Sequence, residues 1–487
     1  MVSKALRALL FTGVLVALVA GVALAAVDPG TESSNIFLMN LGGGDANVVV
    51  DFIDPDTGSV VDKVEDTLSP KIGKMILASD LGVDDGWVGS GVVTSDEPMG
   101  AIANLLFGNG TAAAYTGVSE PGTEVYLPDL FRKDNRFTRI AIQNTESSQA
   151  TVYLHYYDRD GVERVPTNAA HRTYTIEGLR EVTIDLPDVN VNFDSTLGIG
   201  ALYITSTNKI AAAASLHWPT RSGAYSGVSK GDTTLWFPGC IRWPHATPTQ
   251  FSSMIVQNTD PTETATVRFD ILDRNNNVNY SFTDTIPPLV AYGFNFSNVG
   301  ASMDQATWDA MIAAMKAAAS SEGGWKGTVK AVSTTGQELV GVGIFFAPTG
   351  DVTMFNAIND GDATTGDLAF PVAKRYLTAA SNEQFTIHVI QNLSAATATV
   401  SVSIYDRDGV RKVNRTGITI PPNGSVAFNL QKEIDLPQAD LNSLGTRYSG
   451  SMYVSGDGVH PIIGVAYQHF SVAGKSMGYN AFVVPES

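Results

Sequence analysis

The feature that most constrains this chain is an internal repeat, because one set of landmarks recurs four times in 487 residues. Gln143-Asn144 recurs as Gln257-Asn258 and Gln391-Asn392, with Met39-Asn40 as a degenerate first copy. An aspartate turn follows at a nearly fixed distance. Asp54 lies 14 residues after Asn40, Asp158 14 after Asn144, Asp273 15 after Asn258 and Asp406 14 after Asn392. A turn with proline or glycine comes next, at Pro70, Gly178, Pro287-Pro288 and Pro421-Pro422. Then come a glycine-led strand from Gly89, Gly198, Gly327 and Gly450 and an apolar strand around Ile102, Ile210, Val340 and Ile463. Each copy closes on an aromatic, in Tyr115-Thr116, Tyr225-Ser226, Phe355-Asn356 and Tyr479-Asn480. New copies open on Leu127-Pro128, Phe237-Pro238 and Phe370-Pro371.

The strand before each aspartate keeps one register. Its apolar sets are Val48, Val50, Phe52; Val152, Leu154, Tyr156; Val267, Phe269, Ile271; and Val400, Val402, Ile404. Alternation with polar residues marks a half-buried antiparallel strand, and a slip of one residue would turn the whole set to water. With about seven short strands per copy, the pattern predicts an all-β chain of four tandem immunoglobulin-like antiparallel β-sandwich domains. Their spans are 34–122, 123–233, 234–366 and 367–487, and each copy is expected to bury its own core, as a string of domains. An outer-membrane barrel would need an apolar outward band, and the outward positions here are Thr, Ser, Asn and Arg. The third copy carries an insertion, expected as one short helix over about 302–320. Ser302 is its expected cap, Gln305 reaches back, and Trp308, Ile312 and Met315 form one face, with Gly323-Gly324 as the stop.

The N-terminus predicts export. Lys4 and Arg7 precede an apolar run from Leu9 to Val22, and Ala23-Leu24-Ala25 supplies small residues for cleavage, giving a signal peptide over 1–25. The run is shorter than the ~20 residues that span a bilayer, so no transmembrane span is expected after cleavage. The chain is then secreted, extracellular or at the cell surface. Composition narrows the classes further. With 31 Lys+Arg against 49 Asp+Glu, a formal charge of −18 argues against a nucleic-acid partner. A lone cysteine, Cys240, excludes an internal disulfide scaffold and reads as a small buried apolar residue.

The candidate chemistry is sparse. Asp158-Arg159-Asp160-Gly161 and Asp406-Arg407-Asp408-Gly409 could be read as calcium sites through Asp158/Asp160 and Asp406/Asp408, but Asp and Gly are also what a hairpin turn requires. No other cofactor or metal is implied, and no catalytic residue is assigned. Gly227-Val228-Ser229-Lys230-Gly231 fits a nucleophile pattern but lacks the strand–turn–helix context and reads as a linker. The seven histidines make no metal-binding pair. Trp218, Trp236 and Trp243 cluster at the junction of copies two and three, near His245. They are the candidate ligand-binding residues, as an aromatic platform for a sugar or protein; the alternative is glue between two domains.

The fourth copy, with Phe370-Pro371, Gln391-Asn392, Asp406–Gly409, Ile420–Ser425 and Tyr479–Ala481, resembles secreted bacterial tandem-repeat proteins with immunoglobulin-like sandwich domains. The resemblance covers nearly the whole chain after the export segment and rests on turn and core residues. It implies fold and exposure at a surface, and carries over no catalytic residue. The expected function is non-enzymatic: a secreted or cell-surface structural or adhesion protein, a subunit of an extracellular layer or filament. Its partners would be other copies of itself or surface proteins and glycans. The alternatives are a carbohydrate-binding protein using Trp218, Trp236 and Trp243, and a secreted hydrolase with its site on converging loops.

Overall fold

The computed structural model describes residues 32–485, apart from 85–86, 134, 194–197, 245–248, 276, 301, 321–323, 348–350, 378–382 and 472–474. The export segment, His245, Asn276 and Gly323 lie outside the described residues. The chain is 60% strand and 8% helix. Its strands fall into four groups, over 32–116, 122–226, 234–359 and 367–483.

The fourth group shows the plan most clearly. Its nine strands are Asp367–Tyr376, Gln384–Asn392, Ala398–Asp406, Arg411–Ile420, Ser425–Asn429, Arg447–Ser455, Ile462–Phe470, Ser476–Asn480 and the two-residue Phe482–Val483, which pairs with the first. Counted in chain order, one layer runs 4-3-6-1 and the other 5-2-7-8, joined by a short pairing of strands 1 and 2, and the third group repeats this order. A constant-type immunoglobulin domain places strands A, B, E and D on one sheet and C, F and G on the other. Here the first strand instead neighbours the sixth. In the second group the sixth and seventh strands merge into one run, Ile199–Trp218. The first group has no first strand among the described residues, so its sheets hold three and four strands.

The alternating sets point inward as their period requires. Val48, Val50, Phe52, Val152, Leu154, Tyr156, Val267, Phe269, Ile271, Val400, Val402 and Ile404 are all buried in the cores of their units. Each opening proline lies at a bulge: the ladder shifts register between Phe237 and Cys240 and between Phe370 and Ala373. Proline cannot donate to a ladder, and a bulge is where that loss is tolerated.

The insertion is a helix, Gln305–Ala317, but its cap is Asp304. The Asp304 carboxylate accepts from the Thr307 N–H at 2.9 Å, while Ser302 Oγ accepts from Gly293. Aspartate is the stronger cap because its charge also faces the positive end of the helix. Met311, Ile312 and Met315 are buried against the third core, and Trp308 Nε1 donates to Asn295 O at 3.0 Å. The helix is not peculiar to the third unit. Short helices Leu186–Val189 and Gln438–Ser443 occupy the same place, between the fifth and sixth strands, in the second and fourth.

The units do not form an extended string. In the second, third and fourth units, the 5-2-7-8 sheet is apolar on its outer face too, and the preceding unit covers it. Ala141, Ala211 and Ala213 of the second unit join the first core. Ile255, Val342 and Ile344 of the third join the second core. Val389, Ile463 and Val465 of the fourth pack with Trp236 and Leu272 of the third. The series then closes, because Ile102, Ala112 and Ala114 of the first unit lie in the core cluster of the fourth. Four copies of one head-to-tail contact thus make a ring.

Candidate functional site

The eighth strands, 112–116, 221–226, 352–356 and 476–480, meet at the middle of the ring, each against the next and the last against the first. Ala112 forms a parallel bridge with Lys475 there. Small residues allow this approach: a Cβ on Gly223 would lie 2.5 Å from Met354 Sδ, and one on Gly478 2.3 Å from Thr353 Cγ2. The residue after each closing aromatic links units. Ser226 Oγ donates to Thr116 O. Asn356 accepts from Ser226 N–H at 3.2 Å and donates to Ser226 O at 2.7 Å, and Asn480 Nδ2 donates to Asn356 O at 3.0 Å.

The other landmarks have equally specific roles. Each repeat asparagine is fully buried. Asn392 Nδ2 donates to Ala396 O, Ile420 O and Pro421 O at 2.8, 3.2 and 3.0 Å, and Oδ1 accepts from Ser394 N–H at 2.8 Å. Asn144 and Asn258 repeat this set with Ser148, Ile176 and Glu177, and with Glu263, Ile286 and Pro287. The preceding glutamine donates to the carbonyl of the residue at positive φ in the next turn: Leu179, Leu289 and Asn423. It also reaches across units, Gln143 to Ser90 Oγ at 2.7 Å, while Gln391 accepts from Thr328. The first unit has Met39 there, and the carbonyl of its positive-φ residue, Lys71, accepts from Ser451 of the fourth unit at 2.8 Å. Met39 itself is buried with Ala369 and Tyr453.

In the aspartate turns, the leading carboxylate caps its own loop. Asp158 Oδ1 accepts from the N–H of Asp160 and Val162 at 3.0 and 2.9 Å, and Asp406 from Asp408 and Val410 at 3.0 and 2.8 Å. Asp158 and Asp406 also pair with Arg164 and Lys412. The turns face the next unit: a Cβ on Gly161 would meet Val290, Arg274 N–H groups donate to Ser425 O, and a Cβ on Gly409 would meet Ile72.

Trp218, Trp236 and Trp243 lie in three different environments. Trp218 is half-buried between Phe131 of its own unit and Phe346 of the third. Trp236 is buried, donates from Nε1 to Asp360 at 2.9 Å and has Lys330 over its ring. Trp243 is half-buried, with Lys326 at 5.5 Å from its ring centroid and its edge where a Cβ of Gly324 would be. A Ser–His arrangement that single-sequence reasoning missed sits at the contact of units one and two. His217 Nε2 is 3.0 Å from Ser215 Oγ and Nδ1 3.3 Å from Ser222 Oγ, which is 2.8 Å from Thr111 Oγ1. The ring lies between Phe107 and Phe137. Burial pulls the imidazole down to about 3, far too weakly basic to activate a hydroxyl at neutral pH.

A cavity of about 270 Å³ lies between the third and fourth units. Its origin is a local departure from the repeat. In the second and fourth units the closing tyrosine hydroxyl holds the residue after the opening proline: Tyr225 bonds Asp129 N–H and O, and Tyr479 bonds Val372 N–H and O. The third unit has Phe355 for the tyrosine, and Gly239, at φ 74°, for Asp129 or Val372. Tyr467 of the fourth unit bonds Pro238 O at 3.0 Å instead, leaving space beside Cys240. Burial raises the Cys240 thiol to about 12 and lowers His469 to about 4, so both are neutral at neutral pH.

No known protein family matches the chain, and no curated protein matches it. Among solved structures, it is similar to that of Thermotoga maritima 1070 at 11% identity and a TM-score of 0.18, over 23% of this chain and 97% of that one. An allantoicase structure matches at 7% identity and a TM-score of 0.12, over 52% of this chain and 76% of that one. A structure of infectious bursal disease virus, Gx strain, matches at 9% identity and a TM-score of 0.12, over 93% and 77%. Scores this low assign neither fold nor function.

Proposed function

We propose that the protein is a non-enzymatic structural or adhesion component of the cell exterior, a rigid module that presents its loops to other copies of itself, surface proteins or glycans. The observation that carries this reading is the use of the repeat landmarks. The asparagines, glutamines, aspartate turns and closing residues bind the chain to itself, within units and between them. Residues in such roles hold a shape; they are not poised toward a substrate. The apolar N-terminal run with its small-residue end supports export. The acidic charge of −18 supports solubility outside the cell. The immunoglobulin-like likeness is kept here as a sandwich likeness, since the strand order differs.

Immunogold labelling of intact native cells, with fractionation alongside, tests the reading. Label on the exterior, retained in the envelope or matrix fraction, is the expected result. A chain found inside the cell, or free in the medium with no binding to cells or matrix, would refute it.

A further inference from the structure

The cavity between units three and four has a chemical character opposite to that of the chain. Acidic residues outnumber basic ones 49 to 31 overall. Yet among the described residues the charged ones lining the cavity are Arg274, Lys326 and Lys432, with no carboxylate. Its inner wall is apolar and aromatic, with Phe345, Phe385 and Tyr467. We infer that this cavity binds a small amphipathic carboxylate, an organic anion whose aryl or medium-chain alkyl body lies on the aromatic wall while its charge meets Lys432.

The assignment of roles follows from contacts. Arg274 already pairs with Asp435 and donates to Ser425 O, so it fixes the wall between the two units. Lys432 is exposed and makes no ion pair among the described residues, which leaves its ammonium to meet an incoming anion. Lys326 also lines the cavity, with its ammonium engaged over the Trp243 ring. His469 stacks on Phe385 and meets Phe345 edge-on, so it extends the apolar wall as a neutral ring. A volume of about 270 Å³ holds roughly a dozen non-hydrogen atoms, the size of a monocarboxylate with one ring or a chain of about eight carbons. At the neighbouring contact Asp129, which holds the place of Gly239, pairs instead with Arg159 at 3.4 Å.

Isothermal calorimetry on the full chain with sodium octanoate and 4-phenylbutyrate, and with neutral octanamide as comparison, tests the inference. Saturable one-to-one binding of a carboxylate is expected, weakened about tenfold or more in Lys432→Glu. Ala427→Trp, which fills the cavity from the fifth strand, is expected to abolish it, with circular dichroism confirming that both variants fold. No saturation of the natural chain by about 10 mM would overturn the inference. So would octanamide binding as tightly as octanoate, or affinity unchanged by the charge reversal.

Discussion

Asn392→Ala tests both the role of the repeat asparagine and the closure of the ring. The side chain donates to three carbonyls and accepts one amide, and Ile420, whose carbonyl it satisfies, is itself fully buried. A buried polar group left unpaired costs about 1–3 kcal/mol. One carbonyl belongs to a fully buried residue, one to the half-buried Pro421 and one to the exposed Ala396, so the expected loss is about 2–4 kcal/mol. The chain's six tryptophans make the assay informative: Trp87, Trp218, Trp236, Trp243, Trp308 and Trp325 all lie in units one to three, while Asn392 is in unit four. Urea unfolding followed by tryptophan fluorescence therefore reports on units that do not contain the substitution. If the ring melts as one body, the fluorescence midpoint falls together with the circular dichroism midpoint. If fluorescence is unmoved while circular dichroism splits into two steps, the units are independent. If neither midpoint falls by more than about 0.5 kcal/mol of stability, the asparagine does not have the role assigned to it.

Burial lowers His217 to about 3 and His388 and His469 to about 4, from 6.5. Folded, these rings stay neutral while the unfolded chain gains protons, so their stability, present above 6.5, is lost as pH falls from 6.5 toward 4. Thermal melts in that window should fall with pH, and a flat profile would refute this. Burial raises Glu181 from 4.5 to about 8, which works in the opposite direction: the fold holds its proton, and stability is lost as pH rises from 4.5 to about 8. Glu181→Gln should therefore gain on the natural chain across that range, by about 4–5 kcal/mol at pH 8.5, measured by urea titration. Gly478→Val places atoms 2.3 Å from Thr353 Cγ2 and 2.6 Å from Met354 O and should cost about 2–3 kcal/mol. Gly43→Ala, where nothing lies within 4 Å, should be nearly neutral; equal melting temperatures would sink the close-approach argument.

The strand register was legible because it is local: Val400, Val402 and Ile404 alternate with Thr399, Ser401 and Ser403, and a period of two has one physical reading. The landmarks were legible as positions and not as roles. Besides its local bonds to Ser394 and Ala396, Asn392 meets two carbonyls 28 and 29 residues away, and Gln391 meets Thr328 in another unit, so these partners are not written near them. The helix cap was misplaced by two residues because Ser302 and Asp304 are both good caps, and packing of the helix on the third core decides between them. The ring left one readable trace. Leu339–Phe346 is apolar without alternation and buried along nearly its whole length, the mark of a strand covered on both faces. Of the site, Cys240 was foreseen as buried, but the cavity depends on Gly239 and Phe355 failing to repeat their counterparts. That is a difference between copies, and a search for likeness passes over it.

Linear arrays of repeats have terminal faces that must be made polar, because each inner copy hides apolar surface against a neighbour. This chain needs no such cap. The surface that a last repeat would expose is covered by the first, at Met39, Ile102 and Ala112, and Phe482 packs where a side chain on Gly100 would stand. Covalent order is thereby separable from architecture. Opening the backbone at Gly227–Gly231 and joining the fourth unit to the first would leave all four contacts between units in place, so the same ring could be written from any of its four starting points.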